Sequence, residues 1–517
     1  MIRTNLRFAR GLGGLLLFAC LVPLAEGTPN LEADTPIPPP PKKSDGKPIS
    51  APDLARWIDR QIAVTLEAEQ IEPSPRCTDE EFLRRAYLDI TGVIPPADKT
   101  VAFLDSKDPE KRGKLIEELL ESKAYGRHQA DLWQAQLLPR SSDNRGFLQY
   151  IPNLVQWLEG KFNSNVGWDV IVREILTSSG AVDKPGPVIY WLVNNSADKV
   201  TDNASRLFLG VQLQCAQCHN HPFTDWKQDA YWETAAFFLN VRPEGNPKMA
   251  AKKGATIRIS ENAKGGRKQK NLPESAKILP PRYLQGESPQ VKGNQPLRPL
   301  FADWLTRSEN PYFARAMVNR TWNQFFGRGL VNPVDDMHDG NAPSHPKILA
   351  ELARNFTASN FDVKYLLRAI CLSETYQRSS KPSGNNGDAG PELFSRMALR
   401  PLTAEQLYDS LTQIMGAEGR RANRNRAMQR GAGNPREAFV AFFAGEEGAD
   451  LTEYQLGIPQ VLRMMNSPQF NNNAALGSML RPKDTTRESV EKIYLTILSR
   501  RPTPGERERI QNFLQVT

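Results

Sequence analysis

Nine residues, CAQCHNHPF at 215–223, hold two cysteines, two histidines and a proline in a chain with only five cysteines and five histidines. Cys215, Cys218 and His219 are spaced as Cys-x-x-Cys-His, the pattern in which two thiols add to the vinyl groups of a haem and the next imidazole ligates the iron. On one helical turn the sulfurs lie on the same side and the histidine points at the porphyrin centre. At the abundance of these residues here, chance alone yields the pattern in about one of two thousand such chains. Two other chemistries use the same residues. A Cys215–Cys218 disulfide needs no cofactor. Zinc or another divalent metal accepts Cys215, Cys218, His219 and His221, with Asp225 close behind, but ligands this near in sequence rarely close a tetrahedron alone.

Two later stretches supply completing groups. In DDMHDG (335–340) and SHP (344–346), Met337, His338 or His345 is a candidate sixth ligand for haem iron. For a metal-dependent enzyme such as a hydrolase, Asp336, His338 and His345 are candidate ligands or bases beside His219, His221 and Asp225. The plain alternative is that 335–340 is a polar turn and that Ser344 caps a helix beginning at Pro346. Met249 and Met317 are weaker axial candidates, because the helical spacing of Met317 assigns it to a core. Pro222 forces a turn just past the motif, after which Tyr231, Ala235, Phe238 and Leu239 resume helical spacing; their aromatics serve either to wall a haem or simply as core.

The elements that must position these residues are mostly helical. DLARWIDRQIAVTLEAEQ spaces Leu54, Trp57, Ile58, Ile62 and Leu66 by threes and fours. TDEEFLRRAYLDITG opens with a capping box of Thr78 and Glu81 and stops at Gly92. Further helices are expected in 111–122, 126–138 and 152–163, and strands only in short pieces such as PVIYWLV (187–193) and parts of 254–260. In the second half, Phe313, Met317, Trp322 and Phe325 mark one buried face, ended by Gly327 and Gly329. The fold class is therefore mainly α, as two helical domains (53–241 and 297–517) around a short irregular, β-containing junction at 242–296, rich in lysine, glycine and proline. A basic, glycine-containing loop is expected at 420–437. RRAYLDITGVIPPADKTVAFL (84–104) is echoed by EKIYLTILSRRPTPGERERIQNFL (491–514), through either duplication or a shared use of proline in a helix-turn-helix.

At 517 residues the chain is long for one core, and 39% apolar with 24% charged residues is ordinary globular composition. The net charge of +8 concentrates in the first ten residues and in the aromatic-poor 251–270 stretch, which argues for a solvated basic linker and against nucleic acid as partner. Residues 1–27 read as a signal peptide: Arg3, Arg7 and Arg10, an apolar run from Leu12 to Leu24, then Ala25 and Gly27. Cys20 is a loose match to a lipid-acylation site. A proline-rich tether fills 28–52, and no further run is long enough to span a membrane, so the mature chain is expected without a transmembrane span. Export places Cys77, Cys215, Cys218 and Cys371 in an oxidising compartment.

LGVQLQCAQCHNHPFTDWKQDAYWETAAFF (209–238), with FLRRAYLDITGVIPP upstream, resembles the first of two paired domains in large secreted proteins of planctomycete-type bacteria. NPYFARAMVNRTWNQFFGRGLVNPVDDMHDGNAPSHPKILAELA, LSETYQRSS and RPLTAEQLYDSL resemble the second. Both domains are of unknown function, and the first is labelled cytochrome-c-like largely through the motif that here is Cys215, Cys218 and His219. The resemblance implies architecture and location more than chemistry. Against relatives that carry an additional N-terminal cytochrome-c-like segment, the proline tether is expected to stand in that place here. The leading expectation is a secreted, periplasmic or envelope protein with one haem c, exchanging electrons with a redox partner protein. The rivals are a metal-dependent extracytoplasmic enzyme and an envelope interaction protein with a structural disulfide.

Overall fold

Apolar spacing becomes helix wherever the sequence offers a cap. In the computed structural model of the chain, the described residues are 47–138, 147, 149–244, 257–261, 272–414, 435–443, 457–466, 480 and 484–516. Helix α1 (Ala51–Ala68) starts at Ser50, whose hydroxyl accepts from the Asp53 N–H at 3.2 Å, and buries Leu54, Ile58, Ile62 and Leu66. Helix α2 (Asp79–Thr91) starts at Thr78, whose Oγ1 accepts from the Glu81 N–H at 3.4 Å, and stops at Gly92 with φ +73°. The capping box expected there is only half made. The Glu81 carboxylate leaves its own helix end to accept from Arg85 and from the Ser380 N–H at 2.9 Å.

Helices α3 (Ala97–Asp105), α4 (Lys111–Glu121), α5 (Lys123–Leu137), α6 (Ile151–Asn163) and α7 (Trp168–Thr177) follow. PVIYWLV is not a strand: its last five residues form α8 (Ile189–Val193), all buried. A run apolar on every side has no period with which to tell strand from helix. Helix α9 (Ala197–Ala204) runs on into a π-helical turn, Ser205–Leu209, and α10 is Gln228–Ala235. Strands β1 (Gly180–Ala181), β2 (Val241–Glu244) and β3 (Arg258–Glu261) form an antiparallel sheet in the order β1-β3-β2.

The second half holds α11 (Arg298–Leu305), α12 (Phe313–Phe326), α13 (Pro346–Ala358), α14 (Val363–Leu372), α15 (Glu374–Gln377), α16 (404–414), α17 (Pro435–Phe443), α18 (Ile458–Asn466), α19 (Thr486–Leu498) and α20 (Pro504–Val516). Phe313, Met317, Trp322 and Phe325 are buried on α12, which ends at Gly327 with φ +79°. Ser344 does not cap α13: its hydroxyl donates to the Leu330 carbonyl at 3.2 Å, and His345 occupies the cap position without a side-chain bond to the helix end. The loop expected at 420–437 lies outside the described residues as far as 434, and 435–437 open α17. The signal segment, Cys20, the tether to residue 46, Met249 and most of 251–270 also lie outside them. Among the described residues no helix is long and apolar enough to cross a membrane.

One apolar core draws on both halves, from Ala51 to Met397. The motifs that carried the resemblance meet across this seam. Asp89 of α2 accepts from the Tyr376 hydroxyl at 2.9 Å and, through both carboxylate oxygens, from Arg400 Nη2 at 2.7 and 2.9 Å. Arg85 donates to the carbonyls of Tyr376 and Arg378 at 2.6 and 3.0 Å, and Gln406 donates to that of Leu88 at 3.0 Å. Asp59 of α1 accepts from the N–H groups of Glu374 and Thr375, both at 2.9 Å, capping α15 from the other half.

Candidate functional site

The Cys-x-x-Cys-His segment is aimed by what precedes it. Gly210 ends the π-helical turn at φ +69°, and a side chain there would come within 3.2 Å of the Met337 sulfur and 3.3 Å of the Ala316 Cβ. The Met337 N–H donates to the Gly210 carbonyl at 2.9 Å, so the DDMHDG turn clamps the base of the segment. Val211 and Leu213 are buried, and Gln214–Gln217 form a 3₁₀ turn with Ala216 as its buried anchor. Cys215, Cys218 and His219 face solvent, and both thiols are free.

Residues from α10 hold the turn from behind. Trp232 Nε1 donates to the Gln217 carbonyl at 2.9 Å, and Gln228 Nε2 donates to those of Gln217 and Cys218 at 3.2 and 2.9 Å. The Ser275 hydroxyl lies 3.6 Å from Cys218 Sγ. Beneath the turn, Gln217 Nε2 reaches Asp198 at 3.4 Å, and the Tyr231 hydroxyl donates to Asp202 at 2.9 Å. Burial pushes the Asp202 carboxyl up to about 7, against the opposing Tyr231 hydrogen bond and with help from Asp198.

The two histidines of the motif present different nitrogens. His219 Nδ1 lies 2.6 Å from the Asn220 carbonyl, which can only accept, so the hydrogen-bond network puts the proton on Nδ1 and the free lone pair on Nε2. His221 Nδ1 accepts from the Phe223 N–H at 3.2 Å, so in the neutral ring Nε2 carries the proton. Backbone pairing of His221 with Trp226 at 2.8 Å closes the loop and leaves the Phe223 ring 88% exposed at its tip.

The remaining candidates are not gathered around His219. Asp225 is exposed. Asp336 lies 3.7 Å from His338 Nε2, whose Nδ1 accepts from the Gly340 N–H at 3.1 Å, so this pair forms the polar turn. Met337 is buried against Gly210. His345 is buried against the Phe394 ring at 5.5 Å, with Nδ1 3.2 Å from Ser344 Oγ, and burial holds its pKa down at about 4. Among the described residues, no hydrogen bond, ion pair or ring contact joins Asp336, Met337, His338 or His345 to His219 or His221. Nor does any group of three or more His, Cys, Asp or Glu there stand close enough to hold a metal ion. Two exposed thiols are followed by an imidazole whose Nδ1 is committed and whose Nε2 is open. Sequence reasoning missed Asn220, Gln228, Trp232 and Ser275, which set this geometry through backbone carbonyls that side-chain types do not announce.

The described chain is a mainly helical protein whose two halves interlock behind an exposed Cys-x-x-Cys-His turn. Residues 57–243 match PSCyt2, a protein family of unknown function (DUF1549), and 297–514 match PSD1, a protein family of unknown function (DUF1553). The chain belongs to the proteins that carry these two domains in this order. No curated protein and no solved structure matches it.

Proposed function

We propose that this protein is exported and acts in extracytoplasmic electron transfer through one haem c attached to Cys215 and Cys218 and ligated by His219. The observation that carries the reading is the pairing of two exposed, free thiols with an imidazole whose Nδ1 is committed to the Asn220 carbonyl and whose Nε2 is open. Bound haem would supply one-electron chemistry. The chain's own part is to hold the turn rigid through Trp232 and Gln228, to fix the His219 tautomer, and to leave the attachment edge open to a redox partner protein or envelope component. The basic start and apolar run of residues 1–27 support export.

The test is the visible spectrum and intact mass of protein exported by a host with cytochrome c maturation, alongside Cys218→Ser. A haem-sized mass increment with a pyridine haemochrome band, lost in the variant, is the expected result. Colourless protein of unmodified mass overturns the reading, and elemental analysis with thiol titration of that sample then decides between a metal and a disulfide.

A further inference from the structure

A second site lies across the seam, built from parts the haem reading does not use. The end of α2 (Thr91, Gly92), α5, α16 and α17 surround a cleft of about 240 Å³. It is smaller than the roughly 300–1,000 Å³ of sites for drug-sized ligands, so its occupant is on the scale of a single sugar ring. His128 of α5 lines it and is only 6% exposed. Its imidazole packs against Gly92, where a Cβ would overlap Nδ1, so the ring needs a glycine beside it. Among the described residues nothing hydrogen-bonds to that ring, so a buried polar group that lines the cleft has its donor and acceptor unmatched there.

The charges of the lining decide the class of occupant. Arg436 Nη2 bonds both Asp131 and Asp409 at 2.6 Å, its Nε bonds Asp409 at 2.9 Å, and Arg127 Nε reaches Asp131 at 3.2 Å. Both guanidiniums are therefore already engaged by carboxylates, and Glu405 adds a third carboxylate. An anion would face three carboxylates, with the Arg436 guanidinium already paired to two of them. A cation would meet two guanidiniums. A neutral molecule with several hydroxyls gains from both, since hydroxyls donate to carboxylates and accept from N–H groups.

We propose that this cleft binds a neutral, hydroxyl-rich small molecule of about the size of one monosaccharide, with His128, Asp131, Glu405 and Asp409 as its hydrogen-bonding groups. The test is saturation-transfer NMR on the full chain with glucose, galactose, mannose and myo-inositol, with glucose 6-phosphate and choline as charged probes. Wild type is compared with Ala124→Trp, which fills the half-buried rim of the cleft, and with Glu405→Gln; thermal unfolding establishes that each variant is folded. Transfer to at least one neutral probe, abolished in Ala124→Trp and weakened several-fold in Glu405→Gln, is the expected result. Transfer to none of the four neutral probes, transfer to the charged probes alone, or transfer that survives Ala124→Trp overturns the proposal. The outcome is independent of whether Cys215 and Cys218 carry haem.

Discussion

His219 and His221 stand two residues apart and hold their protons on opposite nitrogens, and this separates their expected roles. His219→Ala is expected to abolish the low-spin spectrum of haem-loaded protein while His221→Ala leaves it in place; equal loss in both would deny the tautomer argument. The four cysteines of the described chain divide as sharply. Burial pushes the Cys77 and Cys371 thiols up, whereas Cys215 and Cys218 are exposed. Brief alkylation of haem-free protein followed by peptide mass analysis should modify Cys215 and Cys218 and spare Cys77 and Cys371 until denaturant is added. The residue types of the Cys-x-x-Cys-His motif were legible in the sequence because the spacing is itself the signal. The fate of Met337, His338 and His345 was not, because a residue's distance from His219 depends on how two halves of a chain pack, and no local pattern encodes that.

Helix and turn boundaries follow local rules except where the other half of the chain intervenes. Period and caps placed α1, α2, α4, α5, α6, α12 and α13 from sequence alone. The errors have tertiary causes: α8 is apolar on all sides, Glu81 serves Ser380 in preference to its own helix end, and Ser344 is drawn to Leu330. Gly92 and Gly210 combine a left-handed φ with a close neighbour, so alanine is expected to be costly at both. Gly210→Ala should lower stability by about 1–3 kcal/mol, with Gly92→Ala at least as severe because the His128 ring must move. Urea unfolding midpoints at constant slope measure both. The faint echo in the sequence becomes structure: α2 and α3 are joined through Gly92 at φ +73°, and α19 and α20 through Ser499 at φ +55°. The two units also touch, since Arg84 donates to the Ile497 carbonyl at 2.9 Å and Arg501 pairs with Asp105 at 3.0 Å.

At the scale of the whole molecule, the seam around Asp89 joins the two family segments more tightly than a linker would. Removing the carboxylate in Asp89→Ala leaves the Arg400 guanidinium and the Tyr376 hydroxyl without their shared acceptor, and about 3–5 kcal/mol of stability should be lost in chemical denaturation. Acid should act on the same body through its buried histidines. His128 and His345 are held at about 4, below the ordinary value near 6.5, so the unfolded chain takes up protons first as pH falls. Stability present above pH 6.5 is thus lost progressively toward pH 4, on the order of 3 kcal/mol for each histidine. Asp202, raised to about 7, works in the opposite direction, since its folded form keeps a proton that the unfolded chain has released between pH 4 and 7. Denaturation at pH 7 and pH 4.5 should therefore show a steeper acid loss in Asp202→Asn than in wild type.

The contact between Arg84 and Ile497 spans 413 positions of the chain. A ribosome adding roughly 5–20 residues each second needs about 20–80 s to make the second partner after the first has emerged. For that interval Arg84 and Asp105 lack their partners Ile497 and Arg501, while α2 already has α4 and α5 to pack against. The order in which the chain is made thus leaves the α19–α20 unit to dock last, onto a face of α2 and α3 whose other neighbours are already in place.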